Sequence, residues 1–159
     1  MAEVPQQNPE QNVNPVIVRS PLPGTPQQVF ALLTESEHLT KWFCDACESD
    51  PRLGGEVHAG WIDEEGESWD RVGVWQDFEP PSVNGGGRAT LRWLAVNDES
   101  QPEDLKFALA PHPLGSMLIV MSPLPQVETP VRREILEEAA QKGWQQCFQA
   151  LEHLLNAQK

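Results

Sequence analysis

The sequence predicts an α+β fold: an antiparallel β-sheet packed against one long C-terminal α-helix, with two short helices after the first strand. Two periodicities carry that reading. Across residues 129–159, Leu136, Ala140, Trp144, Cys147, Phe148, Leu151, Leu154 and Leu155 lay one apolar stripe along a helix. From Gly54 to Met121 the period drops to two, in short runs that each have one strongly apolar face. The connections between those runs are short and turn-forming, so neighbouring strands should pair antiparallel.

The elements follow in order. Residues 1–14 are rich in Pro, Gln and Asn with almost nothing to bury, and are expected to be a disordered tail ahead of one domain at 15–159. Val16-Ile17-Val18-Arg19 is a β-branched first strand, which Pro21, Pro23, Gly24 and Pro26 should break. Thr25 suits a helix N-cap with Pro26 in the first turn, where no backbone N–H is needed. Val29, Phe30, Leu32 and Leu33 give that helix a buried side. A second, shorter helix is expected from Ser36 to Phe43.

Five strands should come next. Their apolar faces are marked by Val57, Ala59 and Trp61, by Leu91, Trp93 and Ala95, by Leu105, Phe107 and Leu109, and by Met117, Ile119 and Met121. The remaining strand, at 69–78, has an ambiguous parity. Val72, Val74 and Phe78 would bury one face, Trp69 and Trp75 the other. Turns are expected at 63–66, 80–87, 97–104 and 111–115. Thr129 and Pro130 then open the long helix as N-cap and first helical residue.

Composition narrows the function classes. A chain of 159 residues with 39% hydrophobic content can bury a core of its own. Acidic residues outnumber basic ones 24 to 11, for a net charge of −13. That balance argues against nucleic acid and anionic membrane surfaces as partners, since both depend on Lys/Arg clusters. No apolar run approaches the roughly eighteen residues of a membrane span, and the N-terminus has no signal-peptide core. A cytoplasmic location is the default expectation. Three cysteines, an odd number, make no disulfide framework.

A family resemblance emerges from particular residues. Val29-Phe30-Ala31-Leu32-Leu33-Thr34, Leu39, Trp42-Phe43 and Asp50-Pro51-Arg52-Leu53-Gly54-Gly55-Glu56 stand in that order. Together they resemble the opening signature of the domain related to the activator of heat-shock protein 90 ATPase, in the START-like (SRPBCC, Bet v 1-like) superfamily. Gly73-Val74-Trp75, Glu79-Pro80-Pro81, the Trp93 strand, and Gly143-Trp144 followed by Leu151 resemble its later landmarks. The resemblance runs from about Val16 to Leu155. It implies a helix-grip fold, a curved antiparallel sheet wrapped round the C-terminal helix with two small helices closing one end. It also implies a cavity for an apolar ligand, lipids included, or an interaction module that stimulates a chaperone ATPase under stress. No counterpart of the co-chaperone's additional N-terminal domain precedes the match, so the chaperone is expected to rank second as a partner. A cavity-based enzyme of unknown reaction ranks third.

Candidate chemistry is sparse. Cys44-Asp45-Ala46-Cys47 is a C-x-x-C, but it follows a helix instead of opening one, and acidic Asp45 and Glu48 should raise the thiol pKa values. A zinc site recruiting His38 and His58 fits no standard spacing, so two incidental loop cysteines are expected. Cys147 lies on the apolar stripe and belongs to the core. His58 alternates with Val57 and Ala59 and should face outward. The acidic turn Asp63-Glu64-Glu65-Gly66-Glu67 lacks the spaced oxygen ligands of a calcium loop. Gly85-Gly86-Gly87 lies between strands and cradles no phosphate. No catalytic residue, metal or cofactor is expected.

Aromatic residues carry the functional signal. Six tryptophans occur with no tyrosine. Trp61, Trp93 and Phe107 share the strand parity expected to face the helix, and Trp144 and Phe148 face back from the helical stripe. Met117 joins them by its expected parity and Trp75 by one of its two. Trp42 and Phe43 should cover the mouth between the short helices and the sheet. These nine residues are the expected lining of a cavity for a small hydrophobic molecule. The competing reading is a fully packed core, where large aromatics usually reside. Gly143, costly inside a helix, would then allow close approach to the sheet or make room beside Trp144.

Overall fold

The computed structural model describes residues 15–83, 85–95, 101–124, 127 and 129–158. The expected tail at 1–14 lies outside the described residues, as do parts of the connections at 80–87 and 97–104. The described elements are β1 (Val16–Leu22), α1 (Pro26–Thr34), α2 (Ser36–Trp42), β2 (Ala46–Ser49), β3 (Glu56–Ile62), β4 (Ser68–Glu79), β5 (Gly87–Trp93), β6 (Glu103–His112), β7 (Gly115–Ser122) and α3 (Pro130–Ala157). The strands form one curved antiparallel sheet in the order β1-β7-β6-β5-β4-β3-β2. From β2 to β7 each strand pairs with its sequence neighbour, as short hairpin connections require. Only β1 joins out of order. The chain must therefore pass from one edge of the sheet to the other between β1 and β2, and α1 and α2 make that passage.

Local signals start the helices as expected. The Thr25 hydroxyl accepts from the Gln28 N–H at 3.1 Å, and the Gln28 side chain accepts from the Thr25 N–H at 2.9 Å, a reciprocal capping box. The Thr129 hydroxyl accepts from the Arg132 N–H at 3.2 Å. Val29, Phe30, Leu32 and Leu33 are buried beneath α1.

Four expectations about strands are corrected. β1 does not stop at Arg19 but runs through Pro21 to Leu22. An edge strand tolerates proline, because one of its sides has no ladder to complete. A short strand, β2, follows α2, so six strands separate the small helices from α3 instead of five. Ala95 lies beyond the end of β5 and is exposed.

β7 has the opposite parity from that expected. Ser116, Leu118 and Val120 are its buried residues, opposite Leu109 and Phe107 of β6, while Met117, Ile119 and Met121 are only half-buried on the other face. An uninterrupted apolar run gives alternation nothing to read, and only the partner strands decide its phase. The ambiguity in β4 has a physical origin as well. The register shifts between Trp75 and Asp77, so a bulge puts Trp75 and Phe78 on the same face although they are an odd three positions apart.

The Gly54-Gly55 pair anchors that bulge. Gly54 has φ +82°, and a Cβ on Gly55 would meet the Asp50 carbonyl oxygen at 2.0 Å. The two glycines bring the chain against Trp75, whose carbonyl accepts from the Gly54 N–H at 2.8 Å. The Trp75 N–H donates to the Gly55 carbonyl at 2.9 Å.

Helix α3 grips the sheet with its C-terminal half. Its buried residues are Trp144, Phe148, Leu151 and Leu155; from Pro130 to Gly143 none is buried, and Leu136 and Ala140 are partly covered. Among the strands, α3 packs most extensively on β1. Gly143 is exposed, and a Cβ there would meet nothing within 4 Å. It supplies neither close approach nor room beside Trp144.

Candidate ligand-binding site

Large rings span the space between the sheet and α3. Trp144 of α3 lies 6.2 Å from Phe107 of β6, 6.3 Å from Phe148 and 6.2 Å from Trp42 at the end of α2. Phe43, the next residue, lies 5.2 Å from Trp42 and 5.5 Å from Trp61 of β3. It also stacks on Trp93 of β5 at 6.2 Å with planes 8° apart. Seven of the nine expected residues therefore form one network, from the buried Phe107 and Phe148 outward to the half-buried Trp42, Phe43 and Trp61. Offset and edge-to-face contacts of this kind contribute about 0.5–1.5 kcal/mol each beyond burial.

Two expected residues lie elsewhere. Met117 is on the opposite face of β7, beside Pro21 and Ala110, and cannot line this space. Trp75 is fully buried and faces inward, but its ring meets Phe78 at 5.5 Å, and Phe78 meets Phe30 at 5.1 Å. That is a second aromatic group beneath α1, and it packs the core there.

Hydrogen bonds hold the mouth in shape. The Trp42 indole donates to the Leu32 carbonyl at 2.7 Å, and the Trp61 indole donates to the Phe43 carbonyl at 2.8 Å. These bonds satisfy the polar ends of both rings and leave their faces for apolar contact.

Trp69 and Arg71 were missed in the sequence. Trp69 is cross-strand partner to Trp61 and stacks on it at 6.1 Å, and the residue is 48% exposed. It extends the network into solvent. Arg71 sets its guanidinium 5.1 Å from the centre of the Trp93 ring and binds Glu103 of β6 at 3.1 Å. Alternation along β4 and β6 puts Arg71 and Glu103 on the concave face, where the described strands carry no other charged side chain. The signal for Trp69 was its parity with Trp75. For Arg71 there was none, because its contacts depend on register across three strands.

The cysteines are not two incidental loop residues. Cys44 is buried, while Cys47 is the second residue of β2, paired with Ala59 and packed against the core. Hydrogen bonding to Cys47 and then burial push the Cys44 thiol up. The same bond pulls Cys47 down, against burial and then the effect of nearby Glu48. Asp45 raises Cys44 as the sequence predicts, but for Cys47 the neighbouring sulfur outweighs the acidic side chain. Burial pushes Cys147 up to about 11. His58 faces outward and bonds Glu56 at 3.0 Å. Among the described residues, no cluster of three or more His, Cys, Asp or Glu side chains is arranged to hold a metal, and no helix is long and apolar enough to cross a membrane.

A sequence profile described as "Activator of Hsp90 ATPase homolog 1-like protein" matches residues 23–156. The chain belongs to this family. Among curated proteins none matches. Solved structures share the family fold. A protein from Nitrosomonas europaea, 24% identical, superposes with a TM-score of 0.68 over 89% of this chain and 94% of its own. One from Chromobacterium violaceum, 23% identical, gives 0.66 over 90% and 98%. A third, from Mesorhizobium loti, is 21% identical and gives 0.65 over 91% and 98%. At these identities the likeness is one of fold. Membership in the Activator of Hsp90 ATPase homolog 1-like family is compatible with a ligand-binding or binding-module role.

Proposed function

We propose that this protein binds a small, flat, apolar molecule between the concave face of the sheet and α3. One observation carries the reading. The aromatic network is continuous from buried rings on both layers to half-buried and exposed rings at one end, where α3 buries nothing before Trp144. Here stackable faces reach the surface, and α3 leaves that end lightly covered. A flat ligand entering past Trp42, Phe43 and Trp61 would gain about 25 cal/mol for each Å² of apolar surface removed from water. Trp93, Phe107, Trp144 and Phe148 would line the inner end.

N-Phenyl-1-naphthylamine, a neutral flat fluorophore, tests the proposal. Saturable quenching of tryptophan emission is expected, with energy transfer to one bound probe. Trp42→Ala should weaken binding about tenfold, the order expected for losing one aromatic contact, while the protein stays folded by far-UV circular dichroism. No change in wild-type emission up to the solubility limit of the probe would overturn the reading and leave the rings as core. The family description supports a second reading, an interaction module acting on a chaperone ATPase; a direct ATPase assay with added protein tests it.

A further inference from the structure

We infer that the ligand of this site carries one anionic group, a carboxylate or sulfonate beside its flat apolar body, and that Arg71 receives it. The inference rests on the binding site proposed above and specifies what that site selects.

Arg71 is the cation that the described strands place on the concave face. It stands one step inward from Trp69 on β4, so it faces the same end of the sheet as the Trp61–Trp69 stack. Its guanidinium lies against Trp93, 5.1 Å from the ring centre, and that ring is in turn stacked on Phe43. The aromatic network and the charge therefore share one surface. A ligand lying on these rings has its edge within reach of the arginine.

The guanidinium also has donors to spare. It presents five N–H groups in a rigid fork suited to two-pronged binding of a carboxylate or sulfonate. Glu103 takes a single contact, from one terminal nitrogen at 3.1 Å. On the convex face of the neighbouring strand, Arg92 grips Asp104 with two bonds, at 2.8 and 3.1 Å. The Arg71–Glu103 pair is looser by comparison. Its side chains are 27% and 34% exposed, enough for a small anion to reach them and enough shelter for the interaction to resist screening. Glu103 holds the guanidinium beside Trp93 and competes with an incoming anion. The net charge of −13 repels anions at long range. A preference for an anionic ligand must therefore come from this local contact.

Two fluorophores with the same ring skeleton separate charge from shape: N-phenyl-1-naphthylamine and its sulfonated relative, 1-anilinonaphthalene-8-sulfonate. At physiological ionic strength the sulfonate should displace the neutral probe competitively. Arg71→Gln should weaken the sulfonate about tenfold and the neutral probe less than twofold. Glu103→Gln, which removes the competing carboxylate but keeps a hydrogen-bonding side chain, should tighten the sulfonate several-fold and leave the neutral probe unchanged. Glu103→Gln thus keeps the inference falsifiable if Arg71→Gln misfolds. If the neutral probe binds wild-type protein but the sulfonate does not, the inference is overturned. It is equally overturned if neither variant changes the ratio of the two affinities. Failure of the neutral probe to bind wild type would instead overturn the site itself.

Discussion

The Trp61 indole N–H donates to the Phe43 carbonyl at 2.8 Å, and so ties the third strand to the end of the second helix. Phe43 is thereby held against Trp93. With the Trp42–Leu32 bond, it is one of two indole hydrogen bonds that hold the mouth of the proposed site. Trp61→Phe keeps a ring but removes the donor, leaving a half-buried carbonyl unpaired. The expected cost is about 1 kcal/mol in urea unfolding, with weaker binding of N-phenyl-1-naphthylamine than that stability loss alone explains. Unchanged stability would mean that water replaces the indole without penalty.

The parity of β7 gives a sharp contrast. Leu118 is fully buried opposite Leu109, whereas its neighbour Met117 is half-buried on the convex face. Leu118→Ala should cost about 2–5 kcal/mol, as a cavity in a packed core does. Met117→Ala should cost about 1 kcal/mol or less. Equal losses in denaturant midpoint would contradict the register.

Two glycines should respond with opposite signs. Gly143 is exposed in the middle of α3 with open space where a Cβ would stand. Gly143→Ala should stabilise the protein by roughly 0.5–1 kcal/mol, since alanine is the better helix former. At Gly55 a Cβ would lie 2.0 Å from the Asp50 carbonyl oxygen. Gly55→Ala should destabilise and disturb the backbone bonds to Trp75. Thermal melts of both variants decide the matter.

Thiol reactivity should be ordered. The bond from Cys44 lowers Cys47, whereas Cys44 is raised by that bond and by burial, and Cys147 is raised to about 11 by burial. The thiolate is the reactive form. Brief alkylation with iodoacetamide near neutral pH, followed by peptide mass spectrometry, should label Cys47 first. Labelling of Cys147 ahead of Cys47 would contradict the packing.

Cys147 also sets a pH dependence. Its unfolded thiol ionises near 9.0 and its folded thiol near 11. Between those values the unfolded state binds fewer protons, so stability falls as pH rises. The contribution is complete below about pH 9 and is lost as pH climbs through 11. Cys147→Ala should therefore flatten part of the alkaline decline in melting temperature.

The aromatic network was partly legible in the sequence. Trp42, Phe43, Trp61, Trp93, Phe107, Trp144 and Phe148 were expected together, and their rings meet in one network. Trp61, Trp93 and Phe107 were readable because each strand alternates cleanly there, and Trp144 and Phe148 because the helical stripe has polar flanks. Met117 was misplaced because Met117-Leu118-Ile119-Val120-Met121 is apolar on both faces. Trp75 keeps the parity of Trp69, but the bulge after it brings Phe78 round to its side, and the Trp75 ring packs there instead of joining the network. β2 escaped notice because four residues, two of them half-buried, give almost no period.

By itself, the sequence determined where the three helices begin, where the longer strands lie, and that one long helix must find a sheet to lie on. Those properties are local: caps, prolines and periodicities act within a few residues of one another. Tertiary structure alone decided the phase of β7, the consequence of the β4 bulge and the placement of Arg71 over Trp93 beside Glu103. A strand's period says that two faces differ without always saying which is which. Register is set by hydrogen bonds to partners tens of residues away, and Arg71, Trp93 and Glu103 become neighbours only when three strands pair.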